Sequence, residues 1–298
     1  MGASFNFPLN PLNCAELSKL LINSDASEAA RTITANMRIA SVSYLNARPL
    51  IEGLDREQDV ELSLAVPAKL IDLLRGAQAD AALLPVIDYA RLPGLSIVPA
   101  GGIGSDGATL TVRIFSRVPI EQVRSLACDP DSHTSVALAR IILARRYNLR
   151  PEFCDLTRAN DDDPYQARLL IGDKVVCDEP RGFRHQLDLG AEWKGLTGLP
   201  FIFAVWMARP GVDTNRLAVL LTQAKQAGEA NIDQIIARHA LSRGWPAKLA
   251  RKYLTEHLIY DIGPRELDAI ARFFDMAADE GIIPAPPLLV CAPAVPTM

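Results

Sequence analysis

Polar side chains follow several apolar segments of this sequence, at points where a ligand site is commonly built. Ser43 and Asn46 come directly after the apolar run that begins at Arg38. An asparagine at such a position donates and accepts hydrogen bonds in a cleft, or it caps a turn or helix. The local sequence leaves both interpretations open.

A second candidate is the glycine-rich segment from Gly101 to Thr111. Glycine lets the backbone approach a ligand closely, so Ser105, Gly107 and the Thr111 hydroxyl are candidate ligand contacts. The segment lacks the Lys-Ser/Thr end of a phosphate-binding loop, and no helix pattern follows it, which argues against a dinucleotide fingerprint. A flexible hairpin is the alternative interpretation.

The third candidate is DPDSHTS at 129–135, which opens the most periodic helix pattern in the chain. Free backbone N–H groups and the dipole at a helix N-terminus favour a carboxylate or phosphate, and Thr134 and Ser135 add hydroxyls. Ordinary N-capping is the alternative.

Asp173 ends another apolar run beside Gly172, where it either faces a cleft or caps the next segment.

Other kinds of chemistry leave no pattern in this sequence. There is no Gly-x-Ser-x-Gly nucleophile elbow. The five cysteines are widely spaced and the four histidines are scattered, which argues against a disulfide framework and against a metal site. We therefore expect a small-molecule cleft lined by Ser, Thr and Asn, with neither metal nor cofactor.

The elements that position these side chains follow an alternating β/α pattern, which predicts an α/β fold. The predicted strands are Arg38–Leu45, Val60–Val66, Ala81–Pro85, Ser96–Ala100, Leu110–Phe115, Ser125–Cys128, Leu169–Gly172 and Phe201–Ala208. The predicted helices are Pro67–Gly76, Asp131–Tyr147, Asn215–Arg243, Pro246–His257 and Pro264–Glu280.

This order predicts two lobes with a ligand cleft between them, near strand C-termini and helix N-termini. Lobe one comprises residues 37–117 and 206–288, and lobe two comprises 118–205. Residues 1–36 form an N-terminal extension and 289–298 a C-terminal tail.

The composition limits the partners that this chain is expected to have. With 298 residues and a formal net charge of −4, it carries no basic nucleic-acid footprint. Its apolar runs are too short to span a membrane, and the N-terminus lacks a signal-peptide pattern, so we expect a cytoplasmic protein. The oligomeric state stays open, and a homodimer is compatible with the sequence.

Five segments occur in an order that resembles the chorismate dehydratases of the futalosine route to menaquinone. They are SYLNARPL, SDGATLTVRIFSRVP, DSHTSVALARIILARRYNLRPEF, LLIGD and DLGAEWKGLTGLPFIFAVW. The resemblance runs from about Met37 to about Ala208, and more loosely beyond. It implies a two-lobed, type II periplasmic-binding-protein-like fold. It also implies conversion of chorismate to 3-[(1-carboxyvinyl)oxy]benzoate and water without a cofactor.

The resemblance further implies roles for particular residues. Asn46 and Thr111 match catalytic positions, and Thr134 and Ser135 match residues that bind a carboxylate. A substrate-assisted elimination has been considered for this family, in which the substrate's own carboxylate accepts the proton, and the sequence leaves the proton acceptor open. The remaining predicted substrate contacts are Ser43, Ser105, Gly107 and Asp173.

This sequence departs from the family pattern at three positions. Ala108 stands where the family commonly has Pro, Thr111 where it has Ser, and His133 where it has Arg.

Two alternative functions remain. One is the sister enzyme on the same fold that releases 1,4-dihydroxy-6-naphthoate, and the other is a non-catalytic aromatic-acid-binding protein. SYLN and TGLPFIFAVW favour the dehydratase.

Overall fold

The structure is a computed structural model that describes residues 36–129, 132–156, 165–178 and 180–293. The predicted N-terminal extension lies outside these residues, apart from its last position. The strands are β1 Met37–Val42, β2 Val60–Ala65, β3 Ala81–Pro85, β4 Ser96–Ser105, β5 Val112–Ser116, β6 Ser125–Cys128, β7 Glu152–Asp155, β8 Ala167–Ile171, β9 His185–Asp188 and β10 Phe201–Ala208. The α-helices are α1 Pro67–Arg75, α2 His133–Tyr147, α3 Lys174–Cys177, α4 Leu189–Thr197, α5 Thr214–Ala230, α6 Ile232–His239, α7 Ala247–Lys252 and α8 Pro264–Asp279.

The strands form two mixed five-stranded sheets with matching topology. The first has the order β2-β1-β3-β10-β4 and the second β7-β6-β8-β5-β9. In each sheet the first three strands are parallel and the other two run antiparallel to their neighbours. Strand β10 returns the chain to the first sheet, as predicted, and pairs with β3 and β4.

Continuous apolar sequence explains why the central strands are buried. Every residue of β3 is buried, as expected for a strand covered on both faces. Helix α1 begins with Pro67 and ends at Gly76, which confirms the predicted asymmetry of its ends. The main hydrophobic cluster includes residues of both sheets. Trp193 of α4 packs edge-on against Phe201 of β10, with ring centroids 5.2 Å apart.

Strand β5 belongs to the second sheet, where it pairs with β8 and β9. The sequence-based limits place this strand in lobe one. Residues from Met37 onward form one compact unit, so the lobe limits stay a prediction.

Strands β1 and β4 depart most from their predicted limits. Strand β1 ends at Val42, and the chain then bends into a 3₁₀ turn at Leu45–Leu50. Strand β4 extends to Ser105, so the flexible hairpin that the sequence left open as an alternative does not include Gly101–Ser105.

Close packing explains the glycines in β4. A Cβ atom on Gly102 would lie 2.7 Å from the carbonyl oxygen of Ala204, and one on Gly104 would lie 2.6 Å from Cδ1 of Ile202. These glycines therefore admit a neighbouring strand instead of a ligand.

The C-terminal helical region is more divided than predicted. The single helix predicted at Asn215–Arg243 breaks at Asn231, whose side-chain amide donates to the Ala227 carbonyl. The helix predicted at Pro246–His257 is α-helical only as far as Lys252, and a π-helical turn follows at Tyr253–His257.

Within the described residues, no helix combines the length and apolar character needed to cross a lipid bilayer.

Asp80 directly precedes β3, and its carboxylate links this strand to arginines of the two neighbouring strands, one in β1 and one directly after β10. It accepts hydrogen bonds from Nη2 of Arg38 at 2.7 Å and from Nη2 of Arg209 at 2.8 Å. Burial raises the pKa of Asp80, but hydrogen bonds from Arg38 and Arg209 outweigh that effect and lower the pKa from 3.8 to about 2. Because the folded pKa is depressed, its contribution to stability is present above pH 3.8 and is lost as the pH falls through about 2.

We expect Asp80→Asn to lower the free energy of unfolding at pH 7 by about 2 kcal/mol, since each pKa unit corresponds to about 1.4 kcal/mol. The loss relative to wild type should shrink as the pH approaches 2. Urea denaturation at several pH values measures both effects. Asp72→Asn is the control, because its ion pair with Arg75 lies on an exposed helix surface. Equal losses in the two variants at pH 7 would contradict the assignment.

Candidate functional site

A pocket lies where the C-terminal ends of β1, β3 and β8 approach the N-terminus of α2. It encloses about 600 Å³, counting the part that is open to solvent. Of the predicted site residues, the pocket brings together Asn46, Thr111, Thr134 and Ser135.

Asn46 enters the pocket from the 3₁₀ turn that follows β1. Its Oδ1 atom is buried and has no hydrogen-bond partner. A buried acceptor without a partner is costly, so such atoms usually face a ligand or an ordered water. Of the two interpretations of this residue, the unpaired oxygen favours ligand binding over turn capping.

Thr111 lies immediately before β5 and is held at both its backbone and its side chain. Its carbonyl oxygen accepts from the Gly172 N–H at 2.9 Å. Its hydroxyl lies 2.7 Å from the phenol oxygen of Tyr253. The side chain is 2 % exposed, so the hydroxyl has a defined environment.

Asp188 shapes the loop that leads to Thr111. Its carboxylate accepts from the backbone N–H groups of Thr109 at 3.0 Å and Leu110 at 2.8 Å. Leu110 has a φ of +69°, a conformation that costs energy for a side chain of this size. The two hydrogen bonds to Asp188 hold this strained backbone, and with it the pocket residues Thr109 and Thr111.

The N-terminus of α2 supplies the third wall of the pocket. Thr134 and Ser135 are both buried there. The Ser132 side chain makes no capping bond. Among the residues that the structure describes, the backbone N–H groups of the first turn are therefore candidate donors to an anion. The Thr134 hydroxyl accepts from the Ile87 N–H at 3.3 Å, which links α2 to the turn after β3. These features favour the anion-binding interpretation over capping alone.

His133 lines the same wall and is oriented by a buried carboxylate. Its Nδ1 atom lies 2.9 and 3.1 Å from the two oxygens of Asp88, which is fully buried. Arg91 also donates to Asp88, at 3.0 Å. With Nδ1 on Asp88, Nε2 is the ring nitrogen available to a ligand.

Tyr253 comes from the π-helical turn after α7 and completes the polar part of the lining. Burial raises the pKa of its phenol well above the usual value, although hydrogen bonding to Thr111 and Asn46 opposes the rise. The phenol is therefore neutral at physiological pH and acts as a hydroxyl group.

Four predicted contacts lie outside the pocket lining: Ser43, Ser105, Gly107 and Asp173. The Ser43 carbonyl accepts from Nη2 of Arg243 at 2.9 Å, so this residue supports the turn that carries Asn46. Ser105 is fully buried at the end of β4, and its hydroxyl has no partner. Gly107 has a φ of +141°, so it serves the turn of the loop.

Asp173 is engaged by residues of the C-terminal region. Its Oδ1 accepts from Nε1 of Trp245 at 2.9 Å, and its Oδ2 lies 3.5 Å from Nε of Arg243. Burial raises the pKa of the Asp173 carboxyl, and the hydrogen bond from Trp245 and the charge of Arg243 offset only part of this. The Asp173 carboxylate therefore connects the end of β8 to Trp245 and Arg243 of the C-terminal helical region.

The described lining residues include no Asp, Glu, Lys or Arg. Within the part of the chain that the structure describes, no three His, Cys, Asp or Glu side chains are grouped as metal ligands. An anion in this pocket would be held by neutral donors, His133 and the α2 dipole. Such a pocket orients a carboxylate and stabilises charge that develops on a bound molecule.

Sequence reasoning missed Asp88, Asp188 and Tyr253. Asp88 follows an apolar run, the same signal that identified Asp173, whereas Asp188 follows the mostly polar segment RHQL. Tyr253 had no comparable signal, because it lies in an amphipathic helical pattern far along the chain.

Comparison with protein families gives one match that spans most of the chain. The family model described as menaquinone biosynthesis (VitK2_biosynth) matches residues 37–279. A chorismate dehydratase of Thermus thermophilus is 27% identical over 234 residues, covering 71% of this chain and 84% of that protein. A chorismate dehydratase of Campylobacter jejuni is also 27% identical, covering 77% of this chain and 88% of that protein.

Solved structures share the fold at low sequence identity. Protein AF1704 of Archaeoglobus fulgidus has a TM-score of 0.68 and 16% identity, covering 83% of this chain and 98% of that one. The alkanesulfonate-binding protein SsuA of Xanthomonas axonopodis has a TM-score of 0.64 and 14% identity, covering 87% and 99%. The likeness to a binding protein confirms the predicted periplasmic-binding-protein-like fold.

Proposed function

This chain belongs to the menaquinone-biosynthesis family, and on that premise we propose that it is a chorismate dehydratase. The reaction removes a proton and the ring hydroxyl of chorismate together as water, and it leaves 3-[(1-carboxyvinyl)oxy]benzoate. No oxidant is needed, because the loss of water makes the ring aromatic. We also propose that the protein acts in the cytoplasm, in the futalosine route.

The observation that carries this proposal is the unpaired, buried Oδ1 of Asn46 at the wall of a pocket lined with hydroxyl groups. A substrate hydroxyl is a suitable donor for this oxygen. The Thr111 hydroxyl approaches the pocket from the opposite sheet, so a bound ring would have polar groups on two sides. We propose Asn46 and Thr111 as the catalytic residues.

The substrate carries two carboxylates, and the pocket offers suitable donors for them. We propose that the first turn of α2, with Thr134 and Ser135, binds one carboxylate through N–H and hydroxyl donors. His133 lies beside them and offers Nε2 as a further polar contact. The other carboxylate is free to accept the proton, which accords with a substrate-assisted elimination.

The protein's own contribution is then positioning and electrostatic stabilisation. The Oδ1 atom of Asn46 accepts from the ring hydroxyl and orients it. The Thr111 hydroxyl donates to the oxygen of that group and stabilises the negative charge that develops there as the carbon–oxygen bond breaks. Hydroxyl and amide groups suffice for this, because the driving force lies in the substrate.

The test is to incubate the purified protein with chorismate and follow the products by mass spectrometry. Loss of one water with formation of 3-[(1-carboxyvinyl)oxy]benzoate is the expected result. Unchanged chorismate with a folded protein would overturn the proposal. Turnover of cyclic de-hypoxanthine futalosine would then identify the sister enzyme, and retention of unaltered chorismate would identify a binding protein.

We expect Asp88→Asn to raise the KM for chorismate about tenfold, with a smaller change in kcat. The amide keeps one acceptor oxygen without the negative charge, and its NH₂ group cannot replace the second carboxylate oxygen near Nδ1 of His133, so the imidazole is held less firmly. A lost hydrogen bond of this kind costs about 1–3 kcal/mol. Steady-state kinetics measure the effect.

The control for Asp88→Asn is Asp72→Asn, which changes an exposed carboxylate that is likewise paired with an arginine three residues away. It should leave KM unchanged. A folded Asp88→Asn protein with wild-type KM would show that the His133 orientation does not contribute to binding.

A further inference from the structure

Tyr253 lies between the two residues proposed as catalytic. Its phenol oxygen is 2.7 Å from Oγ1 of Thr111, and Asn46 lines the same pocket. We propose that Tyr253 is a positioning residue of the dehydratase, which holds the Thr111 hydroxyl in the orientation that faces the substrate. This inference rests on the proposed function and extends it to a residue on the C-terminal helical region.

The hydrogen-bond count supports this role. Tyr253 and Thr111 are 1 % and 2 % exposed, and they carry two hydroxyl protons between them. The bond that joins them uses one proton. If the phenol donates to Thr111, the Thr111 proton is left to point into the pocket, where a leaving hydroxyl would accept it.

Asn46 complements this arrangement from the same pocket. Its Oδ1 atom is buried without a partner, so it would accept from a ligand to which the Thr111 hydroxyl donates.

The surroundings of Tyr253 hold its ring rigidly. The ring stacks on Trp245, with centroids 4.9 Å apart and planes 18° apart. Nε1 of Trp245 donates to Asp173 at 2.9 Å, so the stacked pair is tied to the end of β8. The π-helical turn that begins at Tyr253 departs from α7, and such turns frequently occur at functional sites.

A rigid phenol has a catalytic consequence. Donors that are already oriented need not reorganise when charge develops on the leaving oxygen, and this saves activation free energy. Asp173, predicted from sequence as a substrate contact, would act here through Trp245 and Tyr253.

The test compares Tyr253→Phe with Tyr260→Phe. Both changes remove one phenol hydroxyl from a buried ring, but the Tyr260 hydroxyl has no partner and the residue lies outside the pocket lining. We expect Tyr253→Phe to lower kcat by about 10- to 100-fold with KM changed less than about threefold. Tyr260→Phe should keep wild-type kinetics. Equal kinetics in the two variants would overturn the proposal.

A double-mutant cycle with Thr111→Val separates positioning from a general structural effect. If Tyr253 acts through Thr111, the double variant should be about as slow as Thr111→Val alone. If the two rate losses multiply, the hydroxyl pair does not act as a unit, and the proposal fails.

Binding of chorismate by isothermal titration calorimetry distinguishes failure of this inference from failure of the proposed function. If the wild type binds chorismate without converting it, the dehydratase proposal fails. The positioning role would then fail with it. If the wild type converts chorismate and Tyr253→Phe keeps the wild-type kcat, the positioning role alone fails. If the wild type does not bind chorismate, both proposals are overturned.

Discussion

Asn46→Ala should lower the kcat for chorismate dehydration by more than about 100-fold, a loss of the size that follows when a reacting group is no longer held in orientation. The variant removes the unpaired Oδ1 and the amide donor beside Tyr253. The turn that carries the residue should survive, because its neighbours Leu45, Ala47 and Leu50 are buried and provide its packing.

Two further variants make the Asn46 test specific. Asn46→Asp keeps the shape but replaces the amide donor with a negative charge beside a dianionic substrate, so it should also be inactive. Asn215→Ala, on an exposed part of α5, should behave as wild type. Circular dichroism and thermal melting confirm folding. Wild-type kcat in a folded Asn46→Ala protein would remove this residue from the mechanism.

Thr111→Val should lower kcat by about 10- to 100-fold, whereas Thr111→Ser should stay within about threefold of wild type. Valine matches the shape of threonine but lacks the hydroxyl, so it leaves the Tyr253 phenol without its partner. Serine keeps the hydroxyl and loses only a methyl group. The pair therefore isolates the hydroxyl from the packing of the side chain.

The kinetics of Thr111→Val and Thr111→Ser are best measured at saturating chorismate, where kcat reports the chemical step or product release. Thr214→Val, at the first position of α5 and outside the pocket lining, is the matched control. Near-normal rates in both Thr111 variants would mean that the hydroxyl is not used. A loss in both would point to packing instead.

Much of the fold was predictable because its signals are local. The apolar run of β3, the proline and glycine at the ends of α1, and the long run that forms β10 each occupy consecutive residues. Predictions from the sequence were wrong in segments where contacts with neighbouring strands or helices outweigh the local conformational preference. The glycines of β4 suggested a flexible loop, yet the close approach of β10 makes them part of a strand.

The residues of the candidate site also differ in whether a local sequence pattern marks them. Local sequence made Asn46, Thr111, Thr134 and Ser135 candidates but left capping and turn roles open, and the family resemblance assigned them to the site. The structure places all four in one pocket. Their roles as catalytic or binding groups stay proposals.

The sequence by itself determined the fold class, the family resemblance and the polar residues at strand ends, because these depend on short-range patterns of apolar and polar side chains. Only the tertiary structure decided which of those residues share a pocket. It turned Asp173 toward Trp245 and brought Tyr253 to Thr111 across 142 positions of the chain. Contacts at such separations depend on how the sheets and the C-terminal helices pack together, and no local pattern specifies that packing.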